Sequence, residues 1–204
     1  MNDEVSITME NIVGNCGYLE LIAGPMYSGK TSKLLDIYKK YNFCEMKTLV
    51  INYAEDTRYS PDMLSTHEKI MIPCVMGSSL KEISDIVNSP PTKEFADSSI
   101  ILINEGQFFK DIVPWVTCAV EEHKKTVYIC GLDGDFKRNR FGNWLDLIPM
   151  CDKITKLHSF CSLCKRKPAI FSHRVSDETT QKLIGSDSYI PLCRFCYNLQ
   201  KHEC

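Results

Sequence analysis

The stretch Tyr18-Leu19-Glu20-Leu21-Ile22-Ala23 followed by Gly24-Pro25-Met26-Tyr27-Ser28-Gly29-Lys30-Thr31 decides the fold. Its first half is a short apolar run of strand character, and its second half satisfies G-x-x-x-x-G-K-[ST]. Beyond it, Leu34, Leu35, Ile37, Tyr38 and Tyr41 recur at helical spacing, which predicts a helix over residues 31–41. A glycine-rich turn between a strand and a helix puts backbone N–H groups and the positive end of the helix dipole around a phosphate. In such a loop Lys30 reaches the outer phosphates and the Thr31 hydroxyl is placed for Mg²⁺. Gly24, Pro25, Met26, Tyr27, Ser28, Gly29, Lys30 and Thr31 are therefore read as a nucleoside triphosphate site.

Outward from this loop, further apolar runs at residues 48–52, 99–104 and 126–130 read as strands, with helices expected over 80–88 and 115–124. Alternation of strands and helices implies an α/β fold with a mostly parallel sheet, of the RecA-like P-loop type, whose ligands gather at the carboxyl ends of the strands. One such end carries Asn104-Glu105-Gly106-Gln107-Phe108-Phe109. A carboxylate there lies near a γ-phosphate, so Glu105 is the candidate to take a proton from an attacking hydroxyl.

Near residue 150 the character of the chain changes to cysteine pairs, basic residues and polar turns. This predicts an N-terminal mobile tail over 1–16, a P-loop ATP-binding domain over 17–150 and a small C-terminal lobe over 151–204. In that lobe Cys161-Ser162-Leu163-Cys164 and Cys193-Arg194-Phe195-Cys196 form two C-x-x-C knuckles separated by 28 residues. Cys161, Cys164, Cys193 and Cys196 suit a closed, structural Zn²⁺ site. The other single cysteines read as small buried or surface residues.

The chain has 204 residues and eleven cysteines, an odd number that argues against a complete disulfide framework. It holds 24 Lys and Arg against 26 Asp and Glu, which is not the basic footprint of a nucleic-acid binder. No apolar run approaches the roughly 20 residues of a membrane span, and Met1-Asn2-Asp3-Glu4 does not start a secretory signal. A cytoplasmic protein with no membrane or nucleic-acid partner is expected.

Taken together, residues 24–31, Tyr53-Ala54-Glu55-Asp56-Thr57-Arg58-Tyr59, Glu105-Gly106-Gln107-Phe108-Phe109, Gly131-Leu132-Asp133-Gly134, Phe136, Phe141-Gly142 and the paired knuckles resemble the cytosolic type II thymidine kinases. The resemblance spans residues 18–197. It implies transfer of the γ-phosphoryl group of ATP, with Mg²⁺, to the 5′-hydroxyl of thymidine in pyrimidine deoxynucleotide salvage, on a RecA-like domain followed by a zinc-bearing lasso lobe. By the same likeness Glu105 is the general base, Arg58 directs phosphate, and Asp56 belongs to the nucleotide site. Gln107 holds the sugar or phosphate end. Met26, Phe108, Leu132, Phe136 and Phe141 box the thymine ring, with Ser172 as a pocket hydroxyl. Residues 176–189 form a lasso loop that reads the base through main-chain groups and is anchored by Tyr189. A homotetramer and feedback inhibition by thymidine triphosphate are also implied.

One position departs from the family: Asn104 stands where relatives carry Asp, which predicts weaker or more phosphate-dependent Mg²⁺ binding. Two other readings stand beside the kinase. A zinc-ribbon ATPase acting on nucleic acid would show a basic groove and stimulation by DNA or RNA. A nonenzymatic nucleotide-binding regulator would bind nucleotide and turn nothing over.

Overall fold

The computed structural model of the protein describes residues 16–55, 63–65, 70–182 and 188–201. The expected tail up to residue 15, Asp56, Arg58 and positions 183–187 of the expected lasso lie outside the described residues.

In chain order, β1 (Tyr18–Ala23) leads through the phosphate loop into α1 (Lys30–Phe43), and β2 (Thr48–Tyr53) follows. Three short strands come next, β3 (Met63–Ser65), β4 (Met71–Pro73) and β5 (Val75–Gly77), then α2 (Leu80–Ile83) and α3 (Lys93–Asp97). The chain continues through β6 (Ile100–Ile103), α4 (Ile112–Glu121), β7 (Thr126–Gly131) and β8 (Lys153–Lys156). The small lobe holds β9 (Ser159–Phe160), β10 (Pro168–Ala169), β11 (Phe171–Arg174), β12 (Tyr189–Leu192) and α5 (Arg194–Lys201).

Six strands form one sheet in the order β5-β2-β6-β7-β1-β8, and every neighbouring pair is parallel. Alternation along the strands divides the core between its two faces, as period-two side chains require. Leu19, Leu21, Ile51, Ile101, Ile103, Val127 and Ile129 face α4, where Trp115, Val116 and Ala119 cover them. Ile22, Val50, Leu102, Tyr128 and Cys130 face α1, against Leu34, Leu35, Ile37 and Tyr41. With both faces covered, the central strands read as unbroken apolar runs. The carboxyl ends of β1, β2, β6 and β7 share one edge.

Three expectations shift. The sheet runs past residue 150, because β8 pairs with β1 from Glu20↔Lys153 to Ala23↔Lys156. The Thr155 hydroxyl and Lys153 ammonium hold buried Glu20 at 2.9 and 3.1 Å, so the edge strand satisfies a carboxylate inside the sheet. The helix expected over 80–88 stops at Ile83. Ser84 turns extended there, and its buried carbonyl accepts the Trp115 indole N–H at 2.7 Å. Finally, α4 begins at Ile112 rather than 115. Pro114 falls in its first turn, where a missing N–H costs no intrahelical bond.

Short α2 is capped from outside. The Asp111 carboxylate, at the N-terminus of α4, accepts the N–H of Leu80 at 3.2 Å and of Lys81 at 2.8 Å. Asp111→Ala removes both acceptors and is expected to cost about 1 kcal/mol, seen as a lowered midpoint of thermal unfolding.

Candidate active site

The loop after β1 has the strain and the orphaned donors of a phosphate cradle. Tyr27 and Gly29 both take positive φ, 60° and 82°. A Cβ on Gly24 would sit 2.7 Å from both the Leu157 carbonyl oxygen and Ser28 Oγ, so only glycine fits that turn. Helix α1 starts without a side-chain cap and without an acidic residue in its first turn. The first N–H groups and positive dipole end of such a helix favour an anion. Ser28 Oγ is buried without a hydrogen-bond partner, an orphan that a phosphate oxygen would satisfy. Lys30 Nζ donates to the Pro25 carbonyl at 2.7 Å, which holds the ammonium over the loop. The residues present therefore fit a triphosphate. Half-buried Thr31 opens the helix beside Lys30.

Across the sheet edge, Glu105 follows β6 in the left-handed region, φ 55°. Such a conformation costs a non-glycine residue of order 1–3 kcal/mol and is held by its surroundings. The holding group is Gln107. Its Nε2 donates to Glu105 Oε2 at 2.6 Å, while its Oε1 accepts the Leu132 N–H at 3.0 Å. Gln107 is buried, so both ends of its amide are committed inside the protein. Glycines make room for it. A Cβ on Gly131 would lie 2.6 Å from Gln107 Oε1, and one on Gly142, which has φ 67°, would lie 2.2 Å from the Gln107 carbonyl oxygen.

Asn104 is buried beneath Glu105. Its Nδ2 donates to Asn52 Oδ1 at 2.8 Å and its Oδ1 accepts the Cys130 thiol at 2.9 Å. Burial, reinforced by the Glu105 charge, pushes the Cys130 thiol up to about 12, so it stays a donor. Three neutral side chains, from β2, β7 and the residue just after β6, thus satisfy one another where the sequence places the departure from the family.

The aromatic residues gather beside this edge. Tyr53 and Phe108 stack with ring centroids 4.9 Å apart, and Phe141 meets Phe108 edge-on at 5.4 Å. Phe136 lies under the Arg174 guanidinium, 3.9 Å from Cζ to the ring centroid, and Arg174 also bonds the Tyr189 hydroxyl. Met26 and Leu132 are half-buried. The Ser172 hydroxyl accepts the Met26 N–H at 2.9 Å, joining the phosphate loop to the small lobe. Residues Asn52, Cys130, Arg174 and Lys182 went unnoticed in the sequence, since none sits in a motif. Lys182 Nζ reaches Glu55 at 2.7 Å and the Tyr53 hydroxyl at 2.9 Å. Burial opposes its charge, but those two partners outweigh it and leave the ammonium's pKa above its ordinary value.

In the lobe, one ligand atom from each of Cys161, Cys164, Cys193 and Cys196 lies within 4.8 Å of the others. Cys164 Sγ and Cys193 Sγ are 3.9 Å apart. That is far beyond a disulfide's ~2.05 Å, and matches the roughly 3.8 Å between thiolates around a tetrahedral Zn²⁺ at ~2.3 Å. Although burial opposes it, backbone N–H groups of Cys193, Cys164 and Leu163 bring the Cys161 thiol down to about 6. The donor set fits structural zinc. The hairpin of β11 and β12 has Arg174 opposite Tyr189 at the end where the two strands connect, and β12 leads directly into Cys193.

A parallel sheet with a strand-to-helix phosphate loop and a carboxylate on the neighbouring strand end makes this a RecA-like P-loop protein. The family model "Thymidine kinase" matches residues 17–197. A thymidine kinase of variola virus is 38% identical over 184 residues, 90% of this chain and 98% of the relative. A rice thymidine kinase is 38% identical over 183 residues, 89% of this chain, and the match spans 66% of the rice protein. "Thymidine kinase, cytosolic" of Cricetulus griseus is 35% identical over 182 residues, 89% of this chain and 73% of the relative. The chain belongs to the thymidine kinase family, and its reaction is the phosphorylation of thymidine.

Gly142→Ala forces a Cβ against the Gln107 backbone at a positive-φ position. It is expected to destabilise the protein by more than about 1 kcal/mol, measured by denaturant unfolding. Gly134→Ala, where the nearest atom to a Cβ would be 3.5 Å away, serves as the mild control.

Proposed function

We propose that the chain transfers the γ-phosphoryl group of ATP to the 5′-hydroxyl of thymidine, giving thymidine monophosphate and ADP. The observation that carries this reading is Glu105, held by Gln107 at 2.6 Å at the same sheet edge as the phosphate loop. Gln107 orients the carboxylate through its Oε2 oxygen, which sets the direction from which a substrate hydroxyl would meet it. In the proposed step the 5′-oxygen attacks the γ-phosphorus in line, its proton passes to Glu105, and the bond to the β-phosphate oxygen breaks. Lys30, Thr31, Ser28 and the loop N–H groups bind the phosphates, and Asp56 and Arg58 complete this end of the site. Bound Mg²⁺ would neutralise charge on the transferring phosphates, with Thr31 as its protein contact. Met26, Phe108, Leu132, Phe136 and Phe141 surround the base, with Ser172 and Tyr189 holding the lobe against it. On this reading Gln107 orients Glu105 through one amide N–H and helps hold the sugar or phosphate end of the substrate with the other.

Zinc in the four-thiolate site pins both ends of the lasso and is structural. No helix of the described residues is long and apolar enough to cross a membrane. A cytoplasmic location accords with the cytosolic relative, and a homotetramer under feedback control by thymidine triphosphate completes the proposal.

Incubation with ATP, Mg²⁺ and thymidine is expected to yield thymidine monophosphate, with little ATP hydrolysis when the nucleoside is absent. Hydrolysis stimulated by DNA or RNA without nucleoside would favour the ATPase reading. Glu105→Gln should lower kcat by about 10²-fold or more with KM for ATP little changed, as loss of a general base requires.

The buried Asn52–Asn104–Cys130 set supplies no negative charge near the phosphates. Asn104→Asp is therefore expected to lower the Mg²⁺ concentration for half-maximal activity several-fold, read by titration at fixed ATP. An unchanged requirement would show that this position has no bearing on the metal.

A further inference from the structure

After β11 the chain turns back beside the aromatic pocket, and one buried side chain organises that turn. Arg174 is 5% exposed. Its Nη1 donates to the carbonyl oxygens of Glu178, at 2.8 Å, and of Thr180. Its Nη2 donates to the carbonyl of Gln181 at 3.2 Å and to the Tyr189 hydroxyl. The guanidinium stacks 3.9 Å above the Phe136 centroid and 5.0 Å from that of Tyr189. A buried cation is ordinarily paired with a carboxylate. Among the described residues no salt bridge to Arg174 is formed. Its charge is met chiefly by three main-chain carbonyl dipoles and by aromatic faces, with the exposed Glu178 carboxylate near enough to feel it.

We propose that Arg174 is a positioning residue for nucleoside binding, its guanidinium serving as the template on which residues 175–182 fold as a lid beside Phe136. The proposal rests on the thymidine reading of that pocket. Its physical basis is that four donor bonds and a flat stacked face come from one rigid group. A lysine, with a compact, strongly hydrated ammonium and no planar face, offers neither the fork nor the stack. The carbonyls of Glu178, Thr180 and Gln181 turn toward Arg174, which fixes the direction of the backbone groups between them.

Two contacts secure the lid farther along. Gln181 Nε2 donates to Asp135 Oδ2 at 2.9 Å and to the Arg140 carbonyl at 3.2 Å. Lys182 reaches Glu55 and Tyr53 at the end of β2. These tie residues 181 and 182 to the loops after β7 and β2, while Arg174 shapes the segment between them and β11. Loss of Arg174 would therefore fall on nucleoside affinity, leaving Glu105 and the phosphate loop in place.

The test uses the full chain with Arg174→Lys and Arg174→Gln. Both variants are expected to raise KM for thymidine about tenfold or more, with kcat within a few-fold and KM for ATP unchanged. Hydrogen exchange of the amides of residues 175–182 should be protected in the native protein without nucleoside and accelerate about tenfold or more in Arg174→Lys. Zinc content should stay unchanged. Wild-type KM and lid protection in Arg174→Lys would overturn the proposal. So would a native protein whose lid amides exchange at unfolded-chain rates both with and without thymidine, a result that does not depend on either variant folding. If the thymidine reading itself fails, the native protein forms no thymidine monophosphate, while lid protection and its dependence on Arg174 are still read without substrate.

Discussion

The buried carboxamide of Gln107 is the constraint around which the site is arranged. It spans the ends of two adjacent parallel strands, giving a hydrogen to the Glu105 carboxylate after β6 and taking one from the Leu132 N–H after β7. Because an unpaired buried amide costs more than a made hydrogen bond returns, both partners must be where they are. Glu105 is thereby kept in a left-handed conformation that it would not choose alone. Gly131 is excluded from carrying a Cβ by the same group, and Gly142 by the backbone carbonyl of the same residue. Trp144 seals the arrangement, its indole N–H donating to the Leu132 carbonyl at 3.0 Å. A charge-assisted bond of this kind fixes orientation more than it adds stability. What it provides is a carboxylate of fixed orientation at the sheet edge.

The features legible in the sequence are those written in local pattern. The phosphate loop, the alternation of strands and helices and the paired knuckles each depend on residues close together in the chain, so spacing and residue type carry them. The strand runs 99–104 and 126–130 were legible because burial on both faces leaves no polar alternation to mislead. Gln107 had the right neighbourhood but an ambiguous direction, since nothing local says whether its amide turns toward a ligand or toward Leu132, 25 residues on. Lys182 was silent for the same reason, its partners Tyr53 and Glu55 lying far off in the chain, and Arg174 because its nearby partners are main-chain carbonyls, which no residue pattern marks. The change of composition near residue 150 marks where the long helices end, which is not where the sheet ends, because β8 owes its place to pairing with β1 at the opposite end of the chain.

The two ends of the site handle charge differently. At the phosphate end the protein leaves positive potential uncompensated, with no acid in the first turn of α1 and a neutral trio behind Glu105. An aspartate in place of Asn104 would put a second carboxylate in a buried position next to Glu105 in the chain, where a bound divalent cation would have to offset the like charges. The amide avoids that conflict and accepts the Cys130 thiol without a charge, leaving Glu105 as the acidic group at this strand end.

At the lid end the positive charge of Arg174 is met by carbonyl dipoles and aromatic faces, and these do not titrate near neutral pH. Lys182, by contrast, pairs with the exposed Glu55 carboxylate, whose pKa is held below its ordinary value first by the Lys182 hydrogen bond and then by Tyr53. Both Lys182 and Glu55 are partly exposed, so salt weakens that pair while leaving the buried Arg174 contacts nearly untouched. The lid is thus fastened by a salt-insensitive template at its root and a screened ion pair toward its tip. Opening should therefore begin at Lys182 and travel back toward Arg174. The hairpin of β11 and β12, held at its base by the four thiols, is the fixed body against which that motion works.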